Sequence, residues 1–211
     1  MARTRRPSCC KPVRARIVCG LRPGVDRATF EAKAATSAVE QLLWVYTPRV
    51  GDCVHVPPGR VHAIGPDVVA FEVQQNSDLT YRLYDWGRPR EVHVERALAV
   101  TRLDETGAGS NPRPDVPPVP LPDGGRQLVA TQHFRVRRYD VQQRLSLATG
   151  GRFVAVTVLA GRGTLGWSAS GTEAPLPLVP GDTVLVPAVV NDFFLSPSSR
   201  LDVLVSDPGE R

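Results

Sequence analysis

A repeated seven-residue pattern is the feature of this sequence that most constrains its fold. Residues 51–57 read Gly-Asp-Cys-Val-His-Val-Pro, and residues 181–187 read Gly-Asp-Thr-Val-Leu-Val-Pro. A Gly-Asp turn, a short run with valine at alternate positions and a closing proline are typical of a β-strand bounded by turns. Because the pattern occurs twice, 130 residues apart, it predicts two copies of one β-barrel.

Short alternating runs surround both copies of the pattern. Between residue 50 and about residue 103, and again between residues 128 and 205, runs with a period of two residues are separated by turn residues. Helix signals occur only near the N-terminus, where Asp26 is a candidate N-cap and Ser37 and Glu40 have the spacing of a capping box. The sequence therefore predicts an all-β fold of two β-barrels, with short helices near the N-terminus.

Composition divides the chain into four parts. Residues 1–15 form a basic segment that we expect to be disordered, and residues 16–103 carry the first β domain. Six of the 20 prolines fall between residues 111 and 122, which makes residues 104–126 a predicted linker of extended, semi-rigid character. Residues 127–211 form the second β domain.

The positive charge of the chain is confined to its N-terminal segment. The formal net charge is +5, but the first 16 residues hold six basic and no acidic side chains, so the remainder carries −1. Proteins that bind single-stranded nucleic acid combine basic residues with aromatic stacking platforms, and the basic segment has no aromatic residue. No nucleic-acid partner is predicted.

Cysteine usage and hydropathy predict a cytoplasmic protein. The four cysteines, at positions 9, 10, 19 and 53, match no zinc-site spacing and are read as free thiols in a reducing compartment. No apolar run approaches the roughly 18 residues that a membrane span requires. We therefore predict a cytoplasmic location and no membrane partner.

The first copy of the repeat continues into a candidate metal ligand. From Gly51 to His62 the chain has Gly, five residues, Pro, one residue, Gly, two residues and His, which resembles a signature of the cupin superfamily. Gly59 permits the turn at the barrel mouth, so that His62 can point inward as a neutral imidazole ligand. A lone histidine at a turn is more often structural, and this signature leaves ligation and a structural role equally open. The second copy has neither this glycine nor this histidine.

Alternation also suggests a charged pair in the first domain. Glu72 and Gln74 share one face of a predicted strand. If residues 76–78 form a three-residue hairpin loop, Glu72 lies opposite Arg82. A carboxylate and a guanidinium would then meet on one face of the barrel. The same pairing also fits an ordinary cross-strand ion pair.

Four segments of the first domain closely resemble the class I, zinc-dependent mannose-6-phosphate isomerases of bacteria, a family with the cupin fold. These segments are Pro57–Gly65, Phe71–Asp78, Thr80–Arg88 and Val92–Leu98. The resemblance extends from about Ala15 into the C-terminal half, where residues 132–134 and 180–188 look like the family's metal-free second cupin domain. It implies two cupin-like barrels and an enzyme that interconverts mannose 6-phosphate and fructose 6-phosphate at a zinc ion.

The resemblance also implies roles for three residues. His62 matches a zinc ligand of the family, Arg82 matches its active-site arginine, and Glu72 matches a carboxylate at the same site. The substrate would be a sugar phosphate, and the reaction would move a proton between C2 and C1 through a cis-enediol. Such a step needs a base, a Lewis acid and positive charge near the developing oxyanion. Arg82 and Glu72 are the predicted catalytic residues.

The chain departs from the family in its zinc ligands. Only one of the four family ligands, His62, has a counterpart, because the other three come from segments that precede the matching part. We therefore expect the first barrel to be incomplete and to lack the family's N-terminal part. The alternative to an isomerase is a truncated or degenerate, non-catalytic cupin that binds a sugar or a protein partner. For the chain by itself, we expect sub-stoichiometric zinc and no measurable isomerase activity.

Overall fold

A computed structural model describes residues 15–103, 118–167 and 175–209, which divide into two compact units. The first unit contains residues 15–71 and 78–103, and the second contains residues 72–77 and the described residues from 118 onward. Residues 1–14 of the predicted tail and residues 104–117 of the predicted linker lie outside the described part of the chain.

The first unit is built on an antiparallel sheet with the order β2-β1-β3. Its strands are β1 (Ile17–Leu21), β2 (Leu43–Tyr46) and β3 (His62–Ile64). In the central strand, Val18 pairs with Ala63 of β3, and the next residue, Cys19, pairs with His62. Because side chains alternate across a strand, His62 projects from the opposite face to Ala63, which packs against the core of this unit.

Short helices cover the core face of this sheet. They are α1 (Arg27–Ala34), a 3-10 helix (Ser37–Leu42) and α2 (Val94–Val100). Asp26 caps α1 as predicted, because its carboxylate accepts the Thr29 N–H at 2.7 Å. The 3-10 helix is capped by the Thr36 hydroxyl rather than by the predicted Ser37. No helix in the described residues is long and apolar enough to cross a membrane.

Two predicted strands of the first domain do not form. In the structure, residues 69–73 and 81–83 have no strand conformation, and the Glu72–Arg82 hairpin register is therefore wrong. Alternation describes which side chains prefer burial, whereas a strand also requires a neighbour that pairs with its N–H and C=O groups. The first copy of the repeat likewise holds only an isolated bridge at Val54.

The second unit is an eight-stranded antiparallel sheet with the path β10-β8-β11-β6-β5-β4; β7 pairs with β11 and β9 with β8. Its strands are β4 (Val119–Pro120), β5 (Arg126–Ala130), β6 (Phe134–Val141), β7 (Leu145–Ala148), β8 (Val154–Trp167), β9 (Leu176–Leu178), β10 (Thr183–Val186) and β11 (Asp192–Pro208). The second copy of the repeat supplies β10, as its alternation predicts.

The two long strands, β8 and β11, bend at the same level. Their register shifts between Pro197 and Leu201, which separates a half that pairs with β7 and β9 from a half that pairs with β6 and β10. Gly161 lies at the bend with φ +82°, and a Cβ there would collide with the carbonyl of Arg200. The bend thus depends on a glycine at this position. Together, the strands of both units confirm the prediction of an all-β fold.

The core of the second unit is mostly aliphatic, with two aromatic residues. Its members are Tyr139, Val141, Leu147, Val154, Val156, Val158, Leu165, Leu178, Val186, Phe193, Leu195, Leu201, Val203 and Val205. Leu195 is completely buried from solvent, whereas Leu185 on β10 is 61% exposed to it. This contrast provides a matched test of the core.

Leu195→Ala should lower the free energy of unfolding of the second unit by about 2–5 kcal/mol, because it removes buried methyl groups and leaves a cavity. Leu185→Ala, the same change on an exposed side chain, should change it by no more than about 0.5 kcal/mol. Native-state hydrogen exchange of the β8 amides in the full chain measures both values. Equal effects of the two substitutions would contradict this description of the core.

Candidate active site

His62 opens β3 with an exposed imidazole. Its Nδ1 lies 3.0 Å from the backbone carbonyl oxygen of Arg60. A carbonyl can only accept a hydrogen bond, so the neutral ring carries its proton on Nδ1 and keeps the lone pair of Nε2. This is the arrangement that a metal-binding histidine uses, with one nitrogen fixed by the backbone and the other free to coordinate. His62 is therefore suited to be a metal ligand.

The turn before His62 requires Gly59. This glycine has φ +83°, and a Cβ on it would collide with the Val100 carbonyl at the end of α2. The Gly59 carbonyl in turn accepts the Arg102 N–H at 3.0 Å. The close approach of the two backbones fixes the turn against α2 and determines where β3 begins. The sequence motif identified this glycine, but its contact with α2 is visible only in the structure.

Arg82 is held to the segment that precedes α2 by three hydrogen bonds. Its backbone N–H donates to Nδ1 of His93 at 3.2 Å, and its carbonyl accepts the His93 N–H at 2.7 Å. Its guanidinium donates from Nη1 to the Glu91 carbonyl at 3.0 Å. Arg82 is half-buried. Both its backbone and its guanidinium are thereby fixed, although the strand predicted for this residue does not exist.

Asp85 organises the loop between Arg82 and α2. Its side chain is only 4% exposed and accepts a two-pronged pair of hydrogen bonds from Arg90, at 2.6 Å and 2.5 Å. Nη2 of Arg88 lies 2.7 Å from the same carboxylate. The hydrogen bonds from Arg90 lower the pKa of Asp85 despite its burial, and the charges of Arg88, Arg90 and Arg82 lower it further. Asp85 is thus a buried anion surrounded by cations.

The same loop is attached to the 3-10 helix through an aromatic residue. Tyr84 donates its hydroxyl hydrogen to Oε1 of Glu40 at 3.0 Å, and its ring lies 5.2 Å from that of Trp86. Loss of solvation, followed by the interaction with Glu40, raises the pKa of Tyr84. The sequence carries no signal for either partner, because no periodicity relates Arg90 to Asp85 or Glu40 to Tyr84.

Glu72 is exposed and lies in the short segment 72–77, which belongs to the second unit, whereas His62 and Arg82 belong to the first. The structure therefore does not pair Glu72 with Arg82 as strand neighbours, and a role for Glu72 stays a prediction. Within the described ranges 15–103, 118–167 and 175–209, no group of three or more His, Cys, Asp or Glu side chains could hold a metal ion. A complete zinc site does not fit these residues alone.

Comparison with known proteins identifies relatives of the chain. No protein-family model matches it. Mannose-6-phosphate isomerase ManA of Bacillus subtilis (strain 168) is 32% identical over 163 residues, which cover 74% of this chain and 49% of that protein. The mannose-6-phosphate isomerase of Streptococcus mutans is 28% identical over 180 residues, covering 81% and 53%. This chain is a homologue of the mannose-6-phosphate isomerases.

The chain spans about half the length of these curated isomerases. The crystal structure of the mannose 6-phosphate isomerase from Bacillus subtilis matches it with a TM-score of 0.77 at 26% identity, over 93% of this chain and 61% of that one. The likeness to this isomerase confirms the predicted cupin-type fold.

The Asp85 cluster predicts a pH-dependent contribution to stability. The folded pKa of Asp85 is lowered, whereas the unfolded value is about 3.9. The carboxylate therefore stabilises the fold fully above the unfolded pKa, and this stabilisation is lost as the pH falls through the folded pKa. Asp85→Asn should lower the melting temperature at neutral pH, and the difference from wild type should shrink as the pH is lowered below about 4.

Thermal denaturation across this pH range measures the difference. Asp78→Asn, which changes an exposed carboxylate of the same unit, serves as the matched control and should have little effect at any pH. A difference between wild type and Asp85→Asn that does not change with pH would contradict the assignment.

Proposed function

We propose that this chain forms part of a mannose-6-phosphate isomerase, which interconverts mannose 6-phosphate and fructose 6-phosphate through a cis-enediol. The observation that carries the proposal is the 27–32% identity to four curated proteins that bear this name. The substrate class follows from the name of these relatives and is a phosphorylated hexose.

The isomerisation needs positive charge where the enediol oxygen becomes anionic. Arg82 is suited to this task because its guanidinium is always charged and has five N–H donors. One of these donors is used by the Glu91 carbonyl, which orients the planar group. Orientation before the reaction reduces the reorganisation that accompanies charge development. Arg82 would therefore stabilise the enediolate or hold the phosphosugar.

A base must also remove the proton from C2 and return it at C1. Glu72 is the candidate that the sequence offers. Its exposure does not by itself prepare it for this role, so its contribution must be tested by substitution. In Glu72→Gln the side chain keeps its size and loses its basicity, which separates proton transfer from binding.

Zinc would supply Lewis-acid polarisation of the sugar oxygens. Of the described residues, we assign His62 as one of its ligands through Nε2. A catalytic zinc site normally uses three protein ligands, so the other ligands would come from residues other than those described.

A second candidate function is a non-catalytic cupin that binds a sugar or a protein partner. The observation that favours it is the lack of a three-ligand cluster among the described residues. The two functions differ in a simple way, because only the isomerase requires the metal and the proton transfer.

For the protein expressed in its own host and assayed with zinc, Arg82→Ala should lower kcat/KM for mannose 6-phosphate by about 100-fold, because the positive charge that stabilises the oxyanion is lost. Arg96→Ala, at an exposed position of α2, should change it by less than about twofold. A coupled assay that detects fructose 6-phosphate measures both. If wild type binds fructose 6-phosphate but converts no substrate, the non-catalytic function is correct.

Elemental analysis tests the assignment of His62. We expect the 211-residue chain to retain less than one zinc per chain after dialysis, because a single imidazole binds the ion weakly. His62→Ala should remove most of this zinc, and His133→Ala in the second unit should retain it. A chain with near-stoichiometric zinc that is unaffected by His62→Ala would show that His62 is not a ligand.

A further inference from the structure

We propose that His93 is a positioning residue for Arg82, a role that rests on the function proposed above. The geometry that points to it is reciprocal. The Arg82 N–H donates to the His93 imidazole, and the Arg82 carbonyl accepts the His93 N–H. In an ordinary antiparallel pair, both acceptors would be backbone carbonyls. Here a side-chain nitrogen replaces one of them.

This replacement makes the position of Arg82 depend on the chemistry of one side chain. Nδ1 of His93 accepts a hydrogen bond only while it carries no proton, so the neutral ring has its proton on Nε2. That nitrogen lies 3.8 Å from Oε2 of Glu91. Glu91 also contributes the carbonyl that accepts from the Arg82 guanidinium. His93 thus holds the backbone of Arg82, and Glu91, two residues earlier, orients its guanidinium.

Two further contacts keep the imidazole in place. The Tyr81 ring meets the His93 ring edge-on, with centroids 6.2 Å apart. The His93 carbonyl accepts the Ala97 N–H at 2.8 Å, and Ala97 is a buried residue of α2. The buried part of α2 thus holds the backbone of His93, and His93 in turn holds the backbone of Arg82 through the two hydrogen bonds between them.

The positioning role predicts which substitutions are tolerated. The Oδ1 atom of asparagine can occupy the place of Nδ1 and accept the Arg82 N–H, whereas glutamine carries its oxygen one bond further out and alanine has no acceptor. His93→Asn should therefore preserve the arrangement, and His93→Gln and His93→Ala should loosen it. A histidine needed only to fill space would tolerate glutamine as well as asparagine.

The experiment measures fructose 6-phosphate binding by calorimetry and Arg82 amide exchange by NMR, with the protein expressed in its own host. Arg82→Ala should weaken binding by about tenfold or more, because a charge-assisted contact is lost. His93→Ala should weaken binding by about three- to tenfold and accelerate Arg82 amide exchange by about tenfold. His93→Asn should restore both to within about twofold of wild type, and His133→Ala should leave both unchanged.

The outcomes separate the two proposals. If Arg82→Ala leaves binding unchanged, the function proposed for Arg82 is wrong, whatever His93 does. If Arg82→Ala weakens binding and His93→Ala does not, only the positioning role is overturned. Should His93→Ala fail to fold, the comparison of asparagine with glutamine decides: equal binding overturns the role, and weaker binding by His93→Gln supports it. A wild-type protein that binds no fructose 6-phosphate overturns both.

Discussion

The candidate site depends on the ion pairs that the buried carboxylate of Asp85 forms with Arg88 and Arg90. An anion removed from water must be compensated, and two arginines five residues or fewer away provide the compensation. Because Arg88 and Arg90 both contact the Asp85 carboxylate, residues 85–90 form a compact loop. Arg82 lies before this loop and His93 lies after it. The hydrogen bonds between these two residues then close the loop against α2. Gly87, with φ +75°, permits the turn within this loop.

The second unit follows a different physical constraint, the pairing of two long strands. β8 and β11 supply the backbone partners for β6, β7, β9 and β10, and they bend where Gly161 allows close approach to Arg200. The bend lets one pair of strands contribute to both halves of the sheet and enclose an aliphatic core. Apolar burial is thus a large contribution to the stability of this unit, which also has buried ion pairs at Asp202 and Asp207.

The sequence indicated the turn at Gly59 and the strand that begins at His62, whereas it did not indicate the contacts that surround Arg82. The spacing from Gly51 to His62 carries its own geometric reason, since Gly59 must turn and the next residues begin a strand. The hairpin around residues 76–78 had no comparable local determinant. Its alternation separates Glu72 from Val69 and Phe71 by face but cannot specify a hydrogen-bonding neighbour. The contacts of Arg82 with Glu91 and His93 span nine and eleven residues and follow no helical or strand period.

The sequence by itself determined the all-β class, the cap at Asp26, the β10 strand of the second repeat and the turn before His62, because these depend on local conformational preferences and motif spacing. Only the tertiary structure decided that the first repeat copy forms an isolated bridge, that Thr36 caps the 3-10 helix, and that Arg82 is held by His93. The reason is that each of these depends on whether a partner is available. The conformational preference of a residue can be predicted from the sequence. The hydrogen-bond partner of a backbone amide or a guanidinium depends on which groups the tertiary packing brings near it.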